Sequence, residues 1–204
     1  MNILITAPFD PKRVAELKEN HIVFYESWEE NLFYGKGQAL IDRLNNDNIE
    51  ILITEVDSVD GEVLDACPQL KLICDCRGTP SNIDLKAASE RDVVVTNTPG
   101  RNAIAVAELA LGLMLSLARF IPTGHALVDK GDWPVQAYFN LQGNELTGKT
   151  LGLIGFGAVS RALAKIVSGF DMKLLAFDPF IPQEIADQYH PKNYQLRRFP
   201  LLAF

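Results

Sequence analysis

The chain has few of the residues from which metal centres, disulfide frameworks and nucleic-acid surfaces are built. Among its 204 residues are three cysteines, Cys67, Cys74 and Cys76, an odd number without C-x-x-C spacing. They read as reduced core thiols and not as a metal or disulfide set. The three histidines, His21, His125 and His190, stand in unrelated contexts without ligand spacing, which predicts solvated or capping roles. No basic cluster exceeds Arg197-Arg198 and the net charge is −7, so neither nucleic acid nor an anionic membrane surface is an expected partner. No apolar run is long enough to span a bilayer, because the most apolar helical stretch, 103–121, carries Glu108 and Arg119. The start, MNILITAPFDPKR, has no basic n-region, and a cytoplasmic location is expected.

What is present is a regular alternation. Over residues 1–98 the apolar runs Ile3–Thr6, Ile22–Tyr25, Ile51–Thr54, Leu70–Cys74 and Val93–Val95 are separated by helical runs after Pro11, within Lys36–Leu44, near Glu62–Ala66 and over Leu85–Glu90. That pattern predicts parallel strands joined by right-handed crossovers in a small α/β domain. Ligands of such sheets sit beyond the carboxyl ends of the strands. Ala7-Pro8-Phe9, Cys76 to Pro80 and Asn97 to Asn102 fall there. Arg77, followed by Gly78, has two readings: a guanidinium fork for a substrate carboxylate, or a loop arginine paired with Asp75 or Asp84.

A long helix is predicted over 102–120, with Asn102 as N-cap and Pro122 just past its end. Its apolar residues surround most of the circumference, which predicts burial on more than one side, with Glu108 a satisfied structural carboxylate. Gly131-Asp132-Trp133 and Gly143 to Leu146 read as a loop.

That loop leads into Thr150–Pro179, TLGLIGFGAVSRALAKIVSGFDMKLLAFDP. Here an apolar strand, a glycine turn, a helix with the apolar face Val159, Leu163, Ile166 and Val167, and a second strand ending in Asp178 form a βαβ unit of dinucleotide-binding type. Gly155 permits the sharp turn, and Gly157 lets a pyrophosphate approach the helix N-terminus. Asp178 follows Gly155 by 178 − 155 = 23 positions, suited to an adenosine ribose 2′-hydroxyl and therefore to NAD over NADP. Ser160 stands where a third glycine is usual. A purely structural turn is the competing reading.

The runs CRGTPSNIDL, VVVTNTPGRNAIAVAELALGLMLSLAR, ELTGKTLGLIGFG and LLAFDPF resemble, in order, the D-isomer-specific 2-hydroxyacid dehydrogenases, the phosphoglycerate dehydrogenases among them. The resemblance covers about residues 1–185. It implies a flavodoxin-like substrate domain (1–100), the first part of an NAD-binding Rossmann domain (101–182) and an atypical tail (183–204), with NAD and a 2-hydroxy or 2-oxo acid held between the domains. It places Arg77 and Gly78 in the substrate-carboxylate loop and Asn102 near the substrate. Val106 would lie by the nicotinamide, Ala158 and Val159 at the pyrophosphate, and Asp178 at the ribose. The helix 102–120 would contribute to a homodimer.

The family's chemistry also needs an arginine, a glutamate and a histidine beyond the ribose acid. The 204 − 178 = 26 residues after Asp178 contain one histidine, His190, and no such series, so no catalytic residue is assigned. Residues 190–200 show neither a clear strand nor the expected helix, and a truncated or frameshifted reading frame near residue 190 is expected. Such a chain would leave apolar strands uncovered, be poorly soluble, and not turn over alone. Two other readings are a non-catalytic NAD(H)-binding or subunit-interaction module, and an unrelated Rossmann enzyme, against which the NTPGRN segment argues.

Overall fold

The structure, a computed structural model, describes residues 1–30, 34–182 and 194–196, the last as backbone only. The chain divides into two compact units, Met1–Pro99 and Gly100–Phe204.

The first unit is a five-stranded parallel sheet of β1 (Asn2–Ile5), β2 (Ile22–Tyr25), β3 (Ile51–Thr54), β4 (Leu72–Asp75) and β5 (Val94–Thr96), ordered β2-β1-β3-β4-β5. This is the flavodoxin-like order, whose direction of winding reverses between β1 and β3. Side chains alternate across a strand. Leu4, Leu52 and Ile73 therefore pack on one face with Leu40, Leu44 and Val63, while Ile3, Ile5 and Ile53 pack on the other with Val14. Those partners come from α1 (Pro11–Lys18), α2 (Gln38–Asn46) and α3 (Gly61–Ala66); α4 (Leu85–Glu90) adds Ala87 and Ala88. Three aspartates start these helices by accepting backbone N–H bonds: Asp10 from Lys12, Asp60 from Val63 and Asp84 from Ala87.

Asp57 ties the carboxyl end of this sheet together. Its Oδ2 accepts from the hydroxyls of Thr6 and Thr54, its Oδ1 accepts from Gly35 N–H at 3.0 Å, and its own N–H donates to Thr54 Oγ1. All three threonine and aspartate side chains are buried.

The second unit has a three-stranded parallel sheet, β6 (Thr150–Ile154), β7 (Lys173–Phe177) and β8 (Tyr194–Leu196), in that order. Its helices are α5 (Ala103–Ala118), α6 (Ile121–Asp129), α7 (Val135–Asn140) and α8 (Ala158–Ile166), the last continued by a 3₁₀ turn over Val167–Phe170. The core joins Ala107, Leu153, Phe156, Leu163, Leu174 and Ala176.

Several expectations change here. The long helix ends at Ala118, and Phe120, at φ 52°, breaks it; Pro122 lies in the first turn of the next helix, where its missing N–H costs nothing. Asn102 occupies the N-cap position, but its side chain makes no capping hydrogen bond. The helix is not buried on several sides: only Ala103 and Ala107 are buried, Leu117 is 78% exposed, and Glu108 is exposed. The loop after it contains α7. In the tail, Tyr194–Leu196 pairs with β7 although its sequence shows no strand pattern, because the pairing is made by backbone alone. The rest of 183–204, His190 included, lies outside the described residues.

Replacing Asp57 with Ala leaves two hydroxyls and an amide without their buried acceptor. At about 1–3 kcal/mol for each unsatisfied buried group, offset by partial re-pairing, we expect a loss of about 3 kcal/mol. Urea denaturation of the variant checks this, and a loss below ~1 kcal/mol would show that the network does not hold the sheet end.

Candidate functional site

The glycine turn after β6 is fixed by hydrogen bonds from both directions. The pairing of Ile154 with Phe177 brings the two strand ends level, and Gly155 N–H extends the ladder to Phe177 C=O at 2.7 Å. Gly155 then takes φ 85°, a left-handed conformation that favours glycine. Phe156, fully buried, donates its N–H to Asp178 Oδ2 at 2.7 Å. The other carboxylate oxygen accepts from Phe180 N–H at 2.8 Å and Ile181 N–H at 3.2 Å. These bonds, Phe156 N–H foremost, hold the Asp178 carboxyl below its usual range, with Arg161 nearby reinforcing them. Asp178 is thus ionised across the neutral range.

Gly157 caps α8 with backbone only, and among the described residues no side-chain cap hydrogen bond is made at this helix start. A Cβ built on Gly155 or Gly157 would meet nothing within 4 Å. The chain's own packing does not require glycine at 157; open space in front of a helix N-terminus suits a close-approaching anion. Gly100 lies 3.5 Å, by its built Cβ, from the Cβ of Ala158. The segment leading into α5 therefore passes the start of α8 at Gly100, two residues before Asn102, and Val106 is partly exposed in the first turn of α5. Ala158 is exposed and Val159 half-buried.

In the first unit, Arg77 and Gly78 follow β4. Their carbonyls are tied to the segment after β5: Thr98 N–H and hydroxyl donate to Arg77 C=O at 2.9 and 3.2 Å, and Asn97 Nδ2 donates to Gly78 C=O at 2.8 Å. The Arg77 guanidinium donates to Ser81 Oγ at 3.3 Å. Among the described residues no ion pair joins it to Asp75 or Asp84; Asp84 instead caps α4. Asp75, 1% exposed, has two carboxylate oxygens without a hydrogen-bond partner, and Asn82 Oδ1 is likewise buried and unpaired. Burial raises the Asp75 pKa. The Arg77 N–H, the Arg77 charge and Asn82 oppose that rise, but none completes a hydrogen bond of good geometry to the carboxylate, so desolvation prevails.

Other features stand apart. An apolar groove of about 510 Å³ lined by Leu127, Trp133 and Tyr138 lies at α6 and α7, not at the glycine turn. Among the described residues no group of His, Cys, Asp or Glu could hold a metal. Among the described residues no single helix is long and apolar enough to cross a membrane. His125 is exposed; His21 is neither solvated nor capping through Nδ1, which is buried without a partner.

Residues 111–200 match the family model described as D-isomer specific 2-hydroxyacid dehydrogenase, NAD binding domain. The chain belongs to the D-isomer-specific 2-hydroxyacid dehydrogenase family. It is similar to the Bacillus subtilis protein YoaD, with 42% identity over 189 residues, covering 90% of this chain and 55% of that one. Among solved structures it is similar to the TT0316 protein of Thermus thermophilus, at TM-score 0.77 and 30% identity, over 96% of this chain and 60% of that one. It is also similar to NAD+-bound 3-phosphoglycerate dehydrogenase of Entamoeba histolytica, at TM-score 0.68 and 28% identity, over 97% and 57%. The chain spans about half the length of its curated relative YoaD. NAD is the cofactor of this family's nucleotide domain, and the residues present fit it: the uncapped turn of α8, the space before Gly157 and the ionised Asp178 are what a dinucleotide needs.

Sequence reasoning named Asp75 only as a possible partner of Arg77 and missed Asn82 and Arg161, since nothing in their spacing marks them; only their buried or hydrogen-bonded positions do.

The raised Asp75 pKa has a definite sign. At pH below the unfolded value of about 3.9 both states are protonated; as pH rises the unfolded chain ionises first, so stability falls until the folded pKa is passed. We expect Asp75→Asn to remove that decline. Urea midpoints of wild type and variant from pH 3.5 to 7 check it, and parallel curves would contradict it.

Proposed function

We propose that this chain is the portion of an NAD-dependent 2-hydroxyacid dehydrogenase that binds the nucleotide and a substrate carboxylate. The observation that carries this reading is the Asp178 carboxylate, ionised and fastened to the glycine turn at the end of β7. In this reading Asp178 accepts from the adenosine ribose hydroxyls, and Gly155, Gly157, Ala158 and Val159 border the pyrophosphate. Val106 lies by the nicotinamide, Asn102 near the substrate, and Arg77 with Gly78 binds the carboxylate of a 2-hydroxy or 2-oxo acid. Bound NAD supplies the acceptor for a hydride from the substrate carbon. The chain's own residues bind and orient.

The described histidines, His21 just before β2 and His125 in α6, belong to neither the glycine turn nor the loop after β4, which supports a chain without a proton-exchanging histidine of its own. We therefore read this chain as binding NAD without turning it over alone. A homodimer through the 102–120 helix is supported by the exposed face of Leu109, Leu113 and Leu117, spaced i, i+4, i+8. A cytoplasmic protein without nucleic-acid or membrane partners accords with the net charge of −7. That same exposed face favours a second reading, a non-catalytic NAD(H)-binding or subunit-interaction module.

NADH fluorescence titration tests the main reading. Wild type is expected to bind, and Asp178→Ala to weaken binding about tenfold, as loss of a charged hydrogen bond of about 1.5 kcal/mol implies, while narrowing the preference over NADPH. Absence of NADH binding by the folded wild type would overturn it. For the dimer, Leu113→Asp with Leu117→Asp is expected to convert dimer to monomer in sedimentation velocity; an unchanged distribution places the interface elsewhere.

A further inference from the structure

A trans peptide points its C=O and the following N–H in opposite directions, and every peptide bond in the described chain is trans. Phe156 lies between two glycines, Gly155 and Gly157, and the peptide joining it to Gly157 turns about Phe156 ψ and Gly157 φ, the latter the rotation a glycine resists least. Left to local preference it would sample more than one orientation.

Two polar contacts and one packed ring hold it. Arg161, in the first turn and a half of α8, donates from Nη1 to the Phe156 C=O at 2.8 Å. Asp178 takes the N–H on the other side of the same residue at 2.7 Å. The Phe156 ring is fully buried in the unit's core. With its C=O drawn toward the guanidinium, the peptide turns the Gly157 N–H the opposite way. Among the described residues no backbone acceptor takes that N–H, and the space before Gly157 is open.

We infer that Arg161 is a positioning residue for a dinucleotide's pyrophosphate: by holding the Phe156 carbonyl it keeps the Gly157 N–H aimed as a donor to the diphosphate. The inference rests on the NAD reading above. The ligand class is a diphosphate ester rather than a nucleoside, because the group that Arg161 orients is an amide at a helix N-terminus, not a base or ribose contact. Arg161 acts through the backbone, and a planar fork able to reach a carbonyl serves this better than a point charge.

The test compares full-length wild type with Arg161→Met, which keeps an aliphatic stem, and Arg161→Lys, which keeps the charge. Each is titrated with NADH, ADP-ribose and adenosine, and the Gly157 amide is followed by ¹⁵N NMR and hydrogen exchange without ligand. We expect Met to weaken NADH and ADP-ribose about tenfold, adenosine to be unaffected, Lys to recover only part of the loss, and the Gly157 amide resonance to shift or broaden in both variants. If Lys binds as wild type and the loss in Met vanishes at high salt, the guanidinium acts directly as a charge and the inference is overturned. If adenosine binding and the melting temperature fall together with NADH, Arg161 is merely structural and the inference is again overturned. Wild type that binds none of the three ligands defeats the NAD reading itself, and the inference with it; wild type that binds them while Arg161→Met binds equally well defeats the inference alone.

Discussion

The hydrogen bond from Phe156 N–H to Asp178 Oδ2 joins the end of one parallel strand to the turn that leaves its neighbour. It exists because β6 and β7 run in a register that ends with Ile154 opposite Phe177, so the next residues, Gly155 and Asp178, emerge side by side. The crossover through α8 consumes the residues in between. A separation of 23 positions in sequence is therefore a spatial statement: it is the chain length that returns one helix and one strand to the starting level. The carboxylate that closes this turn is the one the proposed function gives to a ribose hydroxyl, and the bond that stabilises the loop also keeps the acid ionised.

Parallel strands need cover on both faces, and the two units meet that need differently. In the first, β1 and β3 are buried by helices on both faces, with alternate residues entering opposite clusters. In the second, β6 lies at the edge of the described sheet and Ile154 is 95% exposed, although its sequence is that of an interior strand. The apolar helices show the same excess: Leu117 on α5 and Trp133, 87% exposed, before α7 present large side chains to solvent. Such side chains are ones that burial against a further surface would stabilise. Their exposure accords with a chain that spans 55% of YoaD.

Features set by local sequence were legible. The strands of the first unit followed from their apolar runs, and the sharp turn between β6 and α8 from Gly155 and Gly157. What failed had non-local causes. The end of α5 is set by Phe120 in a left-handed conformation that no propensity favours, and the approach of Tyr194–Leu196 to β7 is a backbone pairing without a side-chain pattern. The apolar girth of α5 was read as burial, yet girth reports what a surface can bury and not what covers it. Arg161 was unreadable for another reason: its partner is a carbonyl, which every residue possesses.

Two aspartates at neighbouring strand ends show how much the surroundings decide. Asp57 accepts from two hydroxyls and an amide, so its burial is matched by donors. Asp75, beside it in the sheet through the pairing of Thr54 with Asp75, is as deeply buried and has no completed hydrogen bond. Desolvation therefore favours its neutral form. Two residues on stands Arg77, whose charge lowers the Asp75 pKa; by reciprocity, an ionised Asp75 would compete for the guanidinium with any incoming carboxylate. A proton on Asp75 removes that competitor while leaving the loop carbonyls tied to Asn97 and Thr98. The form of Asp75 that its surroundings favour thus sets how much of the Arg77 charge is balanced within the loop.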